Sequence, residues 1–340
     1  MTTRLAEVTR GGIVESTHDG VVMAVDVDGK VIASAGDPER VAFFRSSAKP
    51  FQAVPLIESG AADRFGFTPA ELALCCASHH GSVRHQEQVR VMLGKLGLEE
   101  SALQCGISLP WESEAQGMIL SGALPRSPLQ CDCSGKHTGM LATCLQCGYP
   151  IDGYLEPEHP VQREIKRIVA EVCRVPEESF VMGTDGCSVP TFGAPIRTFA
   201  QAYAALAAPD RVPAGAGGAH ACALNRLREA MIAHPENVSG EGELVTTVMR
   251  VGEGAWVCKS GAEGLFCLGL PEAGIGLAIR IADGSFRAHQ EVLISALQQL
   301  DLISEAQVEA IQAADPPQLR NHNGRLVGEI RASFQLELAE

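Results

Sequence analysis

The sequence has no run of 18 or more apolar residues, so no membrane-spanning helix is expected. It also lacks an excess of positive charge. Its 27 Lys and Arg stand against 41 Asp and Glu, a formal net charge of -14 at pH 7. That balance argues against nucleic acid or an anionic membrane as the main partner. No apolar h-region follows the basic residues of the first dozen positions, so no secretory signal is expected and the cytoplasm is the expected compartment. There is no pair of Cys-x-x-Cys knuckles, which excludes a standard zinc finger. There is no internal repeat or low-complexity tract, and 46% apolar against 20% charged residues is a globular composition rather than a disordered one.

What is present is enough chain for one large domain or two modest ones, with no boundary that the sequence makes firm. The β-branched run Val21 to Val27, then Asp28-Gly29, then Lys30 to Ala35 predicts a hairpin with positive φ at both turn positions. Leu265 to Leu270 and Gly274 to Ile281 predict two further strands near the C-terminus. Arg84 to Leu96 and Val161 to Cys173 carry apolar residues at helical spacing. Strands and helices are interspersed, so the expected class is α/β (α+β), a mixed sheet flanked by helices. Pro209 to Gly218 is the best linker candidate. Of the twelve cysteines, Cys75, Cys76, Cys144, Cys173 and Cys222 lie in apolar stretches and are expected as small buried hydrophobes.

Three motifs carry chemistry. Ser46-Ser47-Ala48-Lys49 puts a serine and a lysine three apart, on one face if the segment is helical. A desolvated lysine near the positive charge of Arg45 is expected to be driven toward its neutral form, and a neutral amine can take a proton from a hydroxyl. Pro50 disfavours helical angles at Lys49. Ser78 ends an apolar run, with His79, His80 and His85 beside it. Lys259-Ser260-Gly261 follows a strand-like segment. Ser-x-x-Lys, then Ser, then Lys-Ser-Gly is the motif order of penicillin-binding enzymes and class A β-lactamases. The middle motif here is Ser78-His79-His80 rather than Ser-Asp-Asn, which argues for another amidase. Separately, Cys131, Cys133 and Cys187 lie among glycine and polar residues. Thiolates there could bind zinc, and Asp185 could hold a substrate ammonium or merely form a turn.

Together these segments resemble the Rhizobium-type L-asparaginases, the thermolabile class. The matching stretches are Arg10-Gly-Gly-Ile-Val-Glu15, Arg45-Ser-Ser-Ala-Lys-Pro50, Cys76-Ala-Ser-His79, Cys133-Ser-Gly-Lys-His137, Gly183-Thr-Asp-Gly-Cys187, His234-Pro-Glu236 and Lys259-Ser-Gly-Ala262. The resemblance implies a fold like that of serine β-lactamases and glutaminases, a homodimer, and L-asparagine as substrate. It implies two pairs, Ser46 with Lys49 and Ser78 with Lys259, either serine being the nucleophile. It implies zinc on Cys133, Lys136 and Cys187, and substrate held by Asp185. The candidate substrate contacts are then Arg45, Asp185, His137 and His79. Two departures stand out: Val245 where the family carries a cysteine, and His80 where it has a small residue. The rival readings are a glutaminase or a β-lactam or peptide hydrolase, a zinc-hydroxide hydrolase, and a non-catalytic zinc- or amino-acid-binding protein.

Overall fold

The structure is a computed structural model that describes residues 2–339. The chain folds as two compact units. The first comprises Met1–Ser47, Ala194–Arg211 and Gly242–Glu340, the second Ala48–Gly193 and Val212–Glu241. One of the crossings falls inside the Pro-, Gly- and Ala-rich stretch 209–218. Among the described residues twelve strands occur in chain order: β1 Thr3–Arg10, β2 Ile13–Asp26, β3 Val31–Ala35, β4 Val41–Phe43, β5 Val181–Thr184, β6 Pro190–Pro195, β7 Val257–Gly261, β8 Leu265–Leu270, β9 Ile275–Ile281, β10 Gln318–Arg320, β11 Leu326–Ala332 and β12 Glu337–Leu338. Among the described residues no helix is long and apolar enough to cross a membrane.

The first unit is built on a sheet of order β10-β11-β1-β2-β9-β8-β7, with β3 joining β2 to β12. The expected architecture of sheet and flanking helices is present, and the pairings within this sheet run antiparallel. Register puts Lys259 in one row with Cys267, Ala278 and Met23. All four are fully buried. The row two residues along the same face is Val257, Gly269, Gly276 and Val25. Here the helix Ile196–Ala207 lies on the sheet. A Cβ at Gly276 would fall 1.9 Å from Ala200 O, and one at Gly269 would fall 2.8 Å from Tyr203 O. The two glycines let helix and sheet backbones meet and so bury the face from which Lys259 projects.

The β2–β3 turn forms where the sequence predicts it, but only Gly29 takes positive φ, at 89°. Asp28 needs none, because the Asp26 carboxylate accepts the N–H groups of Asp28 and Lys30 and closes the turn from its side.

The second unit is mainly helical. Pro160–Cys173 buries Val161, Ile165, Ile168, Val169 and Val172 along one stripe, as its periodicity predicts. Pro69–Cys75 begins with a capping box between Thr68 and Glu71. Ser134–Cys147 packs on it, with Gly135 against the Leu74 backbone and Gly139 against Cys75. The strands β5 and β6 form a hairpin from Val181↔Gly193 to Thr184↔Pro190. Cys75, Cys76, Cys144 and Cys173 are buried as expected, but Cys222 is exposed. It lies off the stripe of Ala223, Leu224, Leu227, Ala230 and Met231 that its helix Ala221–Ala233 buries.

Candidate active site

In the second unit the chain leaves the helix Pro69–Cys75 as an extended segment clamped from both sides. Ser78 N–H donates to Val238 O at 3.0 Å and His80 N–H to Ser239 O at 3.0 Å, while His79 N–H donates to Asp132 O at 3.2 Å. These bonds fix the height of Ser78. Lys49, the first residue of the helix Lys49–Gln52, is fully buried with Pro50 in the first turn, where a missing N–H costs nothing. Its Nζ donates to Ala77 O at 2.6 Å and Ser78 Oγ at 2.8 Å, and stands 3.4 Å from Asp132 Oδ2. Within this unit the hydroxyl bonded to Lys49 Nζ is that of Ser78. Lys49 takes a helical conformation despite Pro50, because its burial and three acceptors outweigh a local preference.

The charge state of Lys49 follows from its surroundings. Burial does disfavour the ammonium, but the negative charges of Cys133 and Asp132 outweigh burial and raise the lysine above its ordinary range.

Cys133 caps the helix Ser134–Cys147, and Lys136 and His137 lie in its first turn. The segment is thus helical from Ser134 onward. Cys187 sits in the β5–β6 turn, which closes through Asp185 N–H to Val189 O at 2.8 Å and Ser188 N–H to Asp185 O at 2.9 Å, with Ser188 at φ 73°. Lys136 Nζ lies 3.0 Å from Cys187 Sγ. The Cys133 thiol hydrogen-bonds to the Cys187 sulfur and, with Lys136, lowers the Cys187 thiol to about 5 against the effect of burial. Lys136 is raised, since Cys187 and Cys133 outweigh its burial, and Asp185 adds to the same effect. The structure therefore brings together Cys133, Lys136 and Cys187, with Asp185 facing Lys136. Two thiolates and an amine are a fitting zinc donor set if the lysine gives up its proton.

The two candidate histidines differ. His79 Nε2 bonds to Ser134 Oγ at 2.9 Å, and its Nδ1 accepts Gly81 N–H at 3.1 Å. Because the Ser134 hydroxyl donates to Leu129 O, His79 must carry its proton on Nε2. Both ring nitrogens are engaged, and burial holds the ring neutral. His79 braces the Ser78 segment rather than offering a free nitrogen. His137 is fully buried, lowered to about 3 by burial and then by Lys136. Its Nδ1 lies 2.7 Å from Tyr154 Oη, which accepts Gln104 N–H at 3.0 Å. The Tyr154 proton therefore goes to Nδ1, and His137 Nε2–H is a buried donor with no hydrogen-bond partner among the described residues.

In the first unit, Arg45–Ala48 form a 3₁₀ turn that starts with Arg45 at φ 47°. Ser47 Oγ donates to Lys259 O at 3.1 Å, and Tyr203 Oη donates to Ser47 O at 2.9 Å. Phe44 stacks on Phe199 with centroids 4.2 Å apart. Ser46 is half-buried on this pinned turn. Lys259 Nζ donates to Ser260 O at 2.8 Å. A Cβ at Gly261 would meet Ser47 Oγ at 2.9 Å, which explains the glycine of Lys-Ser-Gly. The unit boundary passes through Ser-x-x-Lys, between Ser47 and Ala48.

Sequence reasoning missed Asp132, which touches Lys49, Cys131 and Cys133. Its only signal was its place between two cysteines. It also missed Ser47, whose hydroxyl ties the turn to β7, and Tyr154.

A family model described as L-asparaginase II matches residues 6–332. No curated protein matches the chain. Among solved structures, Mglu in its native form is similar at 14% identity and a TM-score of 0.37, over 84% of this chain and 65% of Mglu. A beta-lactamase (Mb2281c) from Mycobacterium bovis is similar at 14% identity and a TM-score of 0.37, over 86% of this chain and 94% of that one. The chain thus spans less than two thirds of the length of Mglu, and likenesses this distant carry nothing about activity.

Proposed function

The chain belongs to the L-asparaginase II family, an asparaginase-type amidohydrolase family, and from that premise we propose that it hydrolyses the side-chain amide of L-asparagine by acyl transfer to serine. The observation that carries this reading is the buried Lys49 Nζ at 2.8 Å from Ser78 Oγ. Such a pair moves a proton at an otherwise inert hydroxyl.

The motif order gives Ser46 the place of the attacking serine. Its oxygen bonds to the amide carbon and its proton passes to a neutral Lys49. Lys49 returns that proton through Ser78 to the leaving nitrogen as the C–N bond breaks, and ammonia departs. Water then opens the ester, releases aspartate and restores the serine. The second reading makes Ser78 itself the attacking serine, and the direct hydrogen bond to Lys49 favours it. Lys259 polarises the carbonyl or relays protons. Asp185 binds the substrate ammonium, Arg45 its carboxylate, and the orphan His137 Nε2–H donates to a substrate oxygen. Cys133, Lys136 and Cys187 would hold zinc. When bound, zinc would offset the negative charge of Cys133 that favours the Lys49 ammonium, and would position substrate rather than generate hydroxide.

Ammonia release from asparagine and from glutamine, measured beside nitrocefin opening, tests the substrate. Mass spectrometry of quenched reactions with Ser46→Ala and Ser78→Ala then assigns the acyl group. Lys49→Met should lower kcat by about 10²–10⁴. Wild-type turnover in Lys49→Met, or ring opening without ammonia, would refute the proposal.

A further inference from the structure

The stretch Arg10-Gly-Gly-Ile-Val-Glu15 takes no part in the chemistry proposed above, yet its arginine lines a cavity of about 510 Å³ in the first unit. Three chain segments meet there. Arg10 comes from the end of β1, Arg287 from the loop between β9 and the helix His289–Gln299, and Arg320, Asn321 and His322 from the end of β10 and the turn after it. In a chain of net charge -14, this lining holds three guanidinium groups and an imidazole, and no carboxylate.

Most of that charge is uncompensated. Arg10 Nε donates to both carboxylate oxygens of Glu15, at 3.0 and 2.9 Å, so this pair is neutral and its terminal nitrogens are left to donate. Arg320 Nη1 donates to Gly324 O at 2.9 Å, which fixes the guanidinium without cancelling its charge. The side chains of Arg287 and His322 have no hydrogen-bond or ion-pair partner among the described residues. The backbone beneath these groups is tied down. Gly11 N–H donates to Val327 O at 3.2 Å, and Arg287 N–H to Ser285 Oγ at 3.2 Å. Asn321 Oδ1 accepts the N–H groups of Asn323 and Arg325, at 3.1 and 3.0 Å. With its oxygen turned into the loop, the Asn321 amide has its two N–H donors left to give.

The charge count selects the anion. Arg287 and Arg320 supply two charges that no carboxylate of the lining meets. A phosphoryl dianion matches them and a single carboxylate does not, and guanidinium forks take phosphate oxygens in pairs. A concave cluster of one sign also concentrates anions. The volume is in the range of cavities that take whole small molecules. We propose that this cavity binds a small molecule through a phosphate or polyphosphate group, with Arg287 and Arg320 as the principal donors and Arg10, Asn321 and His322 around them. This binding is independent of the reaction proposed for asparagine.

The test is isothermal titration calorimetry of the full chain with pyrophosphate at constant ionic strength, beside succinate as a dicarboxylate. Pyrophosphate should bind one equivalent and raise the thermal midpoint, because it holds the folded state. Arg287→Met and Arg320→Met should each weaken binding by about tenfold or more. Both residues are exposed, so neither substitution should unfold the chain. Arg163→Met, which removes an exposed arginine of the second unit, should leave binding unchanged. No heat and no shift in midpoint at millimolar pyrophosphate would overturn the proposal. Wild-type binding in either Arg287→Met or Arg320→Met would also overturn it, since the phosphate would then sit elsewhere. So would succinate binding as tightly as pyrophosphate, since the cavity would then read charge and not phosphate.

Discussion

Substituting the glycine of Cys133-Ser134-Gly135-Lys136-His137 tests how tightly the lysine–thiol cluster is tied to Ser78. A Cβ on Gly135 would lie 2.3 Å from Leu74 O, 2.9 Å from Leu74 C and 2.8 Å from Leu74 Cγ. Two of those atoms are backbone, so no rotamer change relieves the clash. The helices Ser134–Cys147 and Pro69–Cys75 would have to part by about 1 Å to restore van der Waals contact. Overpacking of this kind costs about 3 kcal/mol, at the upper end because backbone must move. Alanine's better helix propensity returns at most about 1 kcal/mol, leaving a net loss of about 2 kcal/mol. Gly94→Ala is the control. Gly94 is exposed within the helix Val83–Leu96, with nothing within 4 Å of its would-be Cβ. There the same substitution should stabilise by up to about 1 kcal/mol. The two variants should therefore differ by about 3 kcal/mol in urea unfolding followed by circular dichroism. Gly135→Ala should also lose ammonia release through kcat, because Leu74 lies one turn before Ser78. If Gly135→Ala matched Gly94→Ala in both stability and turnover, the proposed coupling between these helices and the site would be wrong.

Three further outcomes follow from the geometry. His220 bonds to Glu58 at 2.6 Å and Glu171 at 2.8 Å. Although burial opposes its charge, these carboxylates raise its pKa. Its folded-state value thus lies above the unfolded value of about 6.5, so its contribution is complete below about pH 6.5 and fades as pH rises through the folded value. His220→Gln should therefore cost more stability at pH 6 than at pH 9, and equal losses in urea midpoint at both would contradict this. Tyr154→Phe strips the partner from Gln104 N–H and His137 Nδ1, and should destabilise by about 1–3 kcal/mol in denaturant titration. Chelation should raise KM for asparagine far more than it lowers kcat; abolished kcat in steady-state assays would point instead to zinc-bound hydroxide.

The parts of the fold that were legible are those whose cause is local. Leu265–Leu270 and Ile275–Ile281 announce themselves by composition, and Pro160–Cys173 by its stripe, because burial on one face writes a period into the sequence. The residues able to carry chemistry could be picked out one by one, but their hydrogen-bond partners could not. Ser46 and Lys49 are three apart, yet the hydroxyl that Lys49 reaches is 29 positions away, at Ser78. Ser134–Cys147 opens on Ser134 and Gly135, weak helix formers whose first turn is secured by contact with Leu74, which local sequence does not show. The charge on Lys49 depends on Cys133, which only tertiary structure brings near. Cys222 was misjudged because an Ala-rich helix offers little contrast between its faces.

The pairing of β1 with β11 joins Glu7 to Arg331. Strand β1 therefore waits for a strand made much later in the chain. At ordinary elongation rates that delay is on the order of half a minute. Meanwhile the second unit can close once residue 241 has been made, ahead of the final segment of the first. The long strand β2, hydrophobic from Val21 to Val25, has no β9 to cover its edge until residue 281 appears. Such high contact order makes folding slow and leaves an adhesive edge exposed during synthesis. Chaperone demand should therefore fall mainly on the nascent first unit, a burden set by its topology and unrelated to the chemistry of the finished enzyme.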